Sequence, residues 1–214
     1  MTVSSPRPPQ RSHARSNHAR ILATAREELS RDPDASLDEI ARAAGVVRRT
    51  VYGHFPNREA LIAALAEEAR QSLREAFVAA RRPGDDPPTA LARMVLASLA
   101  VGDRYRMLIS LGRRALGQDS IGDALAPARA EATSILERGQ RDGSFPGHLP
   151  ASVLALATES FAVTLLESQA SADWSDPAGE AAATAILIAV GVAPAAARRY
   201  VRTVLDEDGP HAAR

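Results

Sequence analysis

An all-α fold is what this chain predicts, on three observations. Apolar residues recur at helical spacing over most of its length, with no convincing strand. A short stretch, Ser36 to Phe55, places two such segments on either side of Gly45. Clusters of Pro, Gly and Asp then interrupt the periodicity and divide the chain into about ten helices. The expected architecture is an N-terminal three-helix DNA-binding domain of the helix-turn-helix type, followed by a second helical domain.

The elements follow in order. Residues 1–16 are rich in Pro, Ser and Arg and read as a disordered basic arm. A first helix over 17–30 carries Ile21, Leu22, Ala25 and Leu29 on one face. Ser36 with Glu39 makes a capping box, so a second helix should run from Leu37 to Ala44. Gly45 stands where a chain leaving a helix needs a left-handed conformation. A third helix over 48–54 follows, with Val47, Val51 and Phe55 on its buried side and Arg48, Arg49, Tyr52 and His54 largely on its other faces.

That third helix violates local preferences. Val47 is a poor N-cap, and Arg48 and Arg49 put positive charge at the positive end of the helix dipole. Choices that hurt folding are expected at functional sites, and a phosphate backbone with guanine edges would compensate both arginines. A solvated charged face is the plainer reading of the same two residues.

A fourth helix over 58–81 links this part to the rest, and Arg82 to Pro88 reads as a loop. Beyond it the pattern predicts helices near 89–101, 103–117, 121–140, 150–170, 177–191 and 194–206. Residues 141–147 form a turn cluster, and Asp176-Pro177 reads as N-cap and first helical residue. The domains are thus 1–16 arm, 17–60 helix-turn-helix domain with its connecting helix to about 81, 82–207 second domain, and 208–214 tail.

Taken together, Ile40-Ala41-x-x-Ala44-Gly45-Val46, Thr50-x-Tyr52-x-His54-Phe55 and Asn57-Arg58-Glu59-x-Leu61 resemble the tetracycline-repressor (TetR) family of bacterial transcriptional regulators. The likeness covers about residues 17–70 and is only architectural beyond. Three positions depart from the family pattern: Val47 replaces a serine or threonine, Arg49 a small residue, and Arg58 a lysine. The resemblance implies a ligand-binding and dimerisation domain at the C-terminal end. It also implies a repressor released from a palindromic operator by a small-molecule effector. Its DNA contacts would come from Ser36, Val47, Arg48, Arg49, Thr50, Tyr52, His54 and Arg58. An all-helical enzyme or a plain interaction protein is the alternative class.

Composition agrees. All 26 basic residues are arginine, which with the abundant alanine suggests a GC-rich genome. The net charge is zero, yet residues 1–60 hold ten arginines against seven acidic residues, and residues 1–26 hold five arginines and no acid. A basic arm ahead of a helix-turn-helix can track phosphates. The absence of cysteine excludes disulfides, cysteine-ligated zinc and thiol nucleophiles. The five scattered histidines show no metal-ligand spacing, and no phosphate loop or serine-nucleophile motif is present, so neither cofactor nor metal is expected. The longest charge-free run, Ala181 to Ala197, contains Gly191 and Pro194 and is too short to span a bilayer. With no apolar stretch in the arm, the reading is cytoplasmic.

The segments at 150–170 and 177–191 are apolar on most sides, and such helices must be buried. Meeting their symmetry mates, they would make a four-helix interface of a homodimer, with Leu156, Ser160 and Thr164 from the first and Thr184, Ile186, Leu187 and Ile188 from the second. Packing inside one protomer's core is the alternative. For the effector pocket, Phe77, Met94, Met107, Leu111, Phe161 and Leu165 are candidate apolar walls, and Tyr105, Thr158, Glu159 and Trp174 candidate polar ends. Glu159, alone in an apolar stretch, could anchor a ligand, sit at the surface, or pair with an arginine across the dimer.

Overall fold

The computed structural model describes residues 10–108, 111, 118–169 and 174–208, in which no strand occurs. Its helices are α1 (Gln10–Arg31), α2 (Leu37–Ala43), α3 (Arg48–His54), α4 (Arg58–Ala80), α5 (Pro87–Arg104), α6 (Gln118–Asp142), α7 (Ala151–Ser168), α8 (Glu180–Ala189) and α9 (Pro194–Asp208). Two compact units divide the chain at Glu67/Glu68, within α4.

In the first unit, Ile21, Ala25 and Leu29 of α1, Leu37, Ile40 and Ala41 of α2, and Val51 and Phe55 at α3 are all buried. They are joined there by Leu61, Ile62 and Leu65 from the first turns of α4. The α1 boundary differs from expectation. The described part of the helix begins at Gln10, so residues 10–16 are helical and not a disordered arm. Residues 1–9 and the tail from 209 lie outside the described residues.

The second unit is built on α5 packing against α6, α7, α8 and α9, with α6 on α7 and α8 on α9. Its core takes Ala69, Leu73 and Phe77 from the later turns of α4, Leu91, Val95 and Leu99 from α5, and Leu136, Leu154, Ile186, Leu187, Val201 and Val204 from the helices after it. The division of α4 between the two cores is why the units part at 67/68 and not at the loop from Arg82.

Two further helix starts differ from the sequence reading. Pro87 and Pro88 do not end the loop but open α5, because proline at the first positions gives up only an N–H that has no partner there. Asp86 is the cap, accepting from Thr89 N at 2.8 Å. At α8 the N-cap is Gly179 and not Asp176, although the Asp176 carboxylate still accepts from Ala181 N (3.2 Å) and Ala182 N (2.8 Å). Likewise α5 runs on to Arg104 and is capped at Tyr105, where the sequence suggested a break at residue 102.

Gly139 lies mid-helix in α6, where alanine would ordinarily stabilise by about 1 kcal/mol. Here a Cβ would come within 2.6 Å of Cε2 of Phe145 and 3.0 Å of Cβ of Pro87. Phe145 is buried and its N–H is bonded to Gly139 O, so the ring has little room to move. Gly139→Ala should therefore lower stability, by about 1–3 kcal/mol in chemical denaturation. A neutral or stabilising result would mean that the ring is free to shift.

By length and composition, α7 is apolar enough to cross a membrane. It packs on α6 and α8, and its Glu159 is held bidentately by Arg129 of α6, at 2.9 and 2.7 Å.

Candidate nucleic-acid interface

The turn between α2 and α3 is set by hydrogen bonds that only a left-handed residue allows. Gly45 has φ +63°, its N–H bonds Arg42 O, and the N–H of Val46 bonds Ala41 O. This pattern closes the end of α2 and turns the chain into Val47, whose carbonyl accepts from Thr50 N at the start of α3. The capping box at the other end of α2 is complete. Ser36 Oγ accepts from Glu39 N, and Glu39 Oε2 accepts from Ser36 N at 2.8 Å and from Ser36 Oγ at 2.7 Å. The side-chain and backbone bonds from Ser36 hold the Glu39 carboxyl below its ordinary value. Its contribution is therefore full at neutral pH and is lost as pH falls through that lowered value.

With Val51 and Phe55 buried, the rest of α3 faces outward. Val47, Arg48, Arg49 and Tyr52 are exposed, Tyr52 at 48%, and Thr50 and His54 are half-buried. No side chain caps α3 and no acid lies in its first turn. Arg49 has no ion-pair partner among the described residues, whereas Nη2 of Arg48 lies 2.6 Å from Oδ2 of Asp38 on α2. The sequence reading missed this partner, ten residues away across the turn. The His54 ring meets His18 of α1 edge-on at 5.6 Å between centroids, and Phe55 lies 5.1 Å from His18.

Two expected contact residues are already engaged. Arg58 is half-buried and donates to the carbonyls of Pro33 and Ala35, the latter at 3.4 Å. It ties the start of α4 to the chain before α2, and Asn57 caps α4 by accepting from Ala60 N at 2.8 Å. Ser36 Oγ is used by the capping box. Arg58→Lys would exchange a two-pronged donor for a point charge. It should lower the stability of the first unit by about 1 kcal/mol, the scale of one lost ordinary hydrogen bond, without changing base preference. An unchanged melting temperature with weakened DNA binding would show instead that Arg58 faces phosphate.

Of the residues assigned to a pocket, Phe77, Met94 and Tyr105 belong to the core of the second unit. Phe77, Met94, Tyr105, Met107, Leu111 and Thr158 are buried. Phe161, Leu165 and Trp174 are partly buried against the same core. Tyr105 Oη lies 3.3 Å from Ser72 Oγ, and Thr158 Oγ1 donates to Ala155 O. Glu159 is neither a free anchor nor a surface group, since Arg129 of the same protomer neutralises it.

The residues assigned to a dimer interface divide in two. Ile186 and Leu187 are fully buried in the protomer's own core, and Thr184 nearly so. Leu156 and Ile188 are exposed, at 51% and 38%, and so are Ser160 and Thr164. The hydroxyls of Ser160, Thr164 and Ser168 donate to the carbonyls four residues earlier, at 3.0, 2.9 and 2.8 Å. Their outward surface is therefore less polar than their names imply. Val153 and Leu149 are also exposed and extend the apolar stripe.

The sequence profile described as "Bacterial regulatory proteins, tetR family" matches residues 21–65, which span the helix-turn-helix. The HTH-type transcriptional repressor LfrR of Mycolicibacterium smegmatis is 37% identical over 82 residues, 38% of this chain and 43% of that protein. The alignment thus spans less than half of that relative's length. Among solved structures, a regulatory protein described as of the tetR family from Rhodococcus RHA1 superposes with TM-score 0.68 at 27% identity, covering 83% of this chain and 98% of the other. The transcriptional regulator FadR from Bacillus subtilis, solved in complex with stearoyl-CoA, gives TM-score 0.68 at 17% identity over 81% of this chain and 98% of its own.

Proposed function

We propose that the chain is a sequence-specific DNA-binding repressor of the TetR family, whose profile its helix-turn-helix segment matches. It acts as a homodimer in the cytoplasm, occupies a palindromic operator and leaves it when a small-molecule effector binds the second unit. It is read as a regulator and not as an enzyme. The observation that carries the reading is the outer face of α3. Arg48, Arg49 and Tyr52 stand exposed on a helix whose opposite side is locked by Val51 and Phe55 and whose entry is set by Gly45. A helix presented in this way fits the major groove, where arginine reads guanine and tyrosine holds phosphate.

The test is an electrophoretic shift with the DNA upstream of the protein's own gene against unrelated DNA of equal length. Retardation of the first at concentrations that leave the second free is the expected result. Equal retardation would reduce the protein to a non-specific binder.

The effector is proposed to bind among the helices of the second unit and to change the separation of the two DNA-binding heads. That FadR was solved with stearoyl-CoA supports the idea of an effector in this fold without identifying one here. Because α4 contributes residues to both cores, it is the covalent route for such a change. Effector and DNA must then oppose each other reciprocally, with a coupling of about 1–3 kcal/mol. Once an effector is found, calorimetry should show weaker binding to the operator complex than to the free protein. Equal affinity in both states would leave this switch without support.

A further inference from the structure

The contact between Asp38 and Arg48 has the geometry of an aiming device. Arg48 is the first residue of α3, next to a cap that supplies no side-chain acceptor. A guanidinium there, at the positive end of the helix, should swing freely into solvent. Instead one terminal nitrogen is drawn to 2.6 Å from Oδ2 of Asp38, while the arginine side chain as a whole stays 71% exposed. Asp38 sits in the first turn of α2, where a carboxylate is favoured. Its other oxygen, Oδ1, is buried and has no hydrogen-bond partner, so the interaction with Arg48 is what the carboxylate offers outward.

We propose that Asp38 is a positioning residue that fixes the base preference of Arg48, an inference that rests on the DNA-binding reading above. Two physical consequences separate the arginines. A guanidinium tied through one nitrogen keeps other N–H groups to present, and its direction is set before DNA arrives. Guanine recognition needs such a directed pair of donors. The adjacent carboxylate also repels phosphate, which makes Arg48 a poor backbone clamp and leaves it to the base edges. Arg49, exposed and without an ion pair among the described residues, has no fixed direction and no such repulsion, and it takes the phosphate. Asp38 thus acts on specificity through Arg48 without touching DNA.

The experiment selects binding sites from a randomised duplex library with four full-length proteins: wild type, Asp38→Asn, Arg48→Ala and the double variant. Arg48→Ala should flatten the preference at one base of each half-site, by about fivefold or more, the discrimination of a good bidentate contact. Asp38→Asn should flatten the same base and leave the others unchanged, and should add nothing when Arg48 is already alanine. Its salt dependence should steepen by up to about 0.9 in the log–log slope if the released arginine moves to a phosphate.

A merely structural Asp38 would lower the melting temperature and weaken all positions alike. That outcome overturns the proposal, as does an Asp38→Asn protein with wild-type base frequencies or an Arg48→Ala protein that loses no preference. Should Asp38→Asn fail to fold, Asp38→Glu keeps the charge and displaces the guanidinium by one methylene. It must then alter the same base or the proposal fails. A wild type that enriches no sequence contradicts the DNA-binding reading itself, a result distinct from a wild type with a clear motif that Asp38 does not influence.

Discussion

Arg93→Ala should lower the stability of the second unit by about 3 kcal/mol, an effect on the scale of breaking a buried ion pair. Arg93 is only 3% exposed on α5 and meets three carboxylates. Nε is 3.0 Å from Asp85 before α5, Nη2 is 2.6 Å from Glu207, and Nη1 is 3.0 and 3.1 Å from the two oxygens of Asp208 at the end of α9. Burial works against its charge, but the hydrogen bonds to Glu207 and Asp85 and the attraction of Asp208 outweigh it, so the guanidinium is held charged above its ordinary range. Without it the three acids would face one another, relieved among the described residues by Arg82, 3.4 Å from Asp208. Glu207 and Asp208 are partly open to solvent, which keeps the loss near the low end for buried pairs. Arg93→Lys should fall between wild type and alanine, because a point charge cannot meet three acceptors in a fork. Thermal unfolding of the three proteins checks the order, and an Arg93→Ala protein that melts with the wild type would show the cluster to be inert.

The second large effect compares two isoleucines on α8. Ile186→Arg buries a charge in the protomer's own core and should unfold the second unit or reduce its expression sharply. Ile188→Arg places the charge on the exposed face of α8, so the protomer should stay folded and the proposed dimer should dissociate. Leu156→Arg should act like Ile188→Arg. A folded monomer presents one head instead of two. It loses the gain from linking two binding events on one duplex, commonly about 10²- to 10⁴-fold. Sedimentation together with circular dichroism separates the cases. A wild type that is monomeric at micromolar concentration would remove the interface altogether.

What was legible in the sequence was local. The capping box of Ser36 and Glu39, the left-handed Gly45 and the buried Val51 and Phe55 each depend on neighbours within a few residues, where periodicity and turn chemistry speak directly. The paired prolines opening α5 were legible in principle, since proline at a helix start has a physical reason, but their number made them look like a loop.

The long-range partners were not legible. Arg58 reaches carbonyls more than twenty residues back, and Arg129 neutralises Glu159 from another helix, and nothing in either residue's surroundings announces its partner. The division of α8 was hidden for a different reason. Its sequence, Glu-Ala-Ala-Ala-Thr-Ala-Ile-Leu-Ile-Ala, is apolar all round, so no polar stripe marks which face meets the core. Only packing distinguishes the buried Ile186 from the exposed Ile188.

The most direct test of the account is a titration of the wild-type protein, by fluorescence anisotropy, against two duplexes. One carries the inverted repeat enriched from the randomised library, and the other is the same duplex with one half-site scrambled. If two α3 helices on one dimer read two half-sites, scrambling one should weaken binding by about 10²-fold or more, with two protomers bound per intact duplex. Equal affinity for both duplexes, or the enrichment of no repeat at all, would contradict the account.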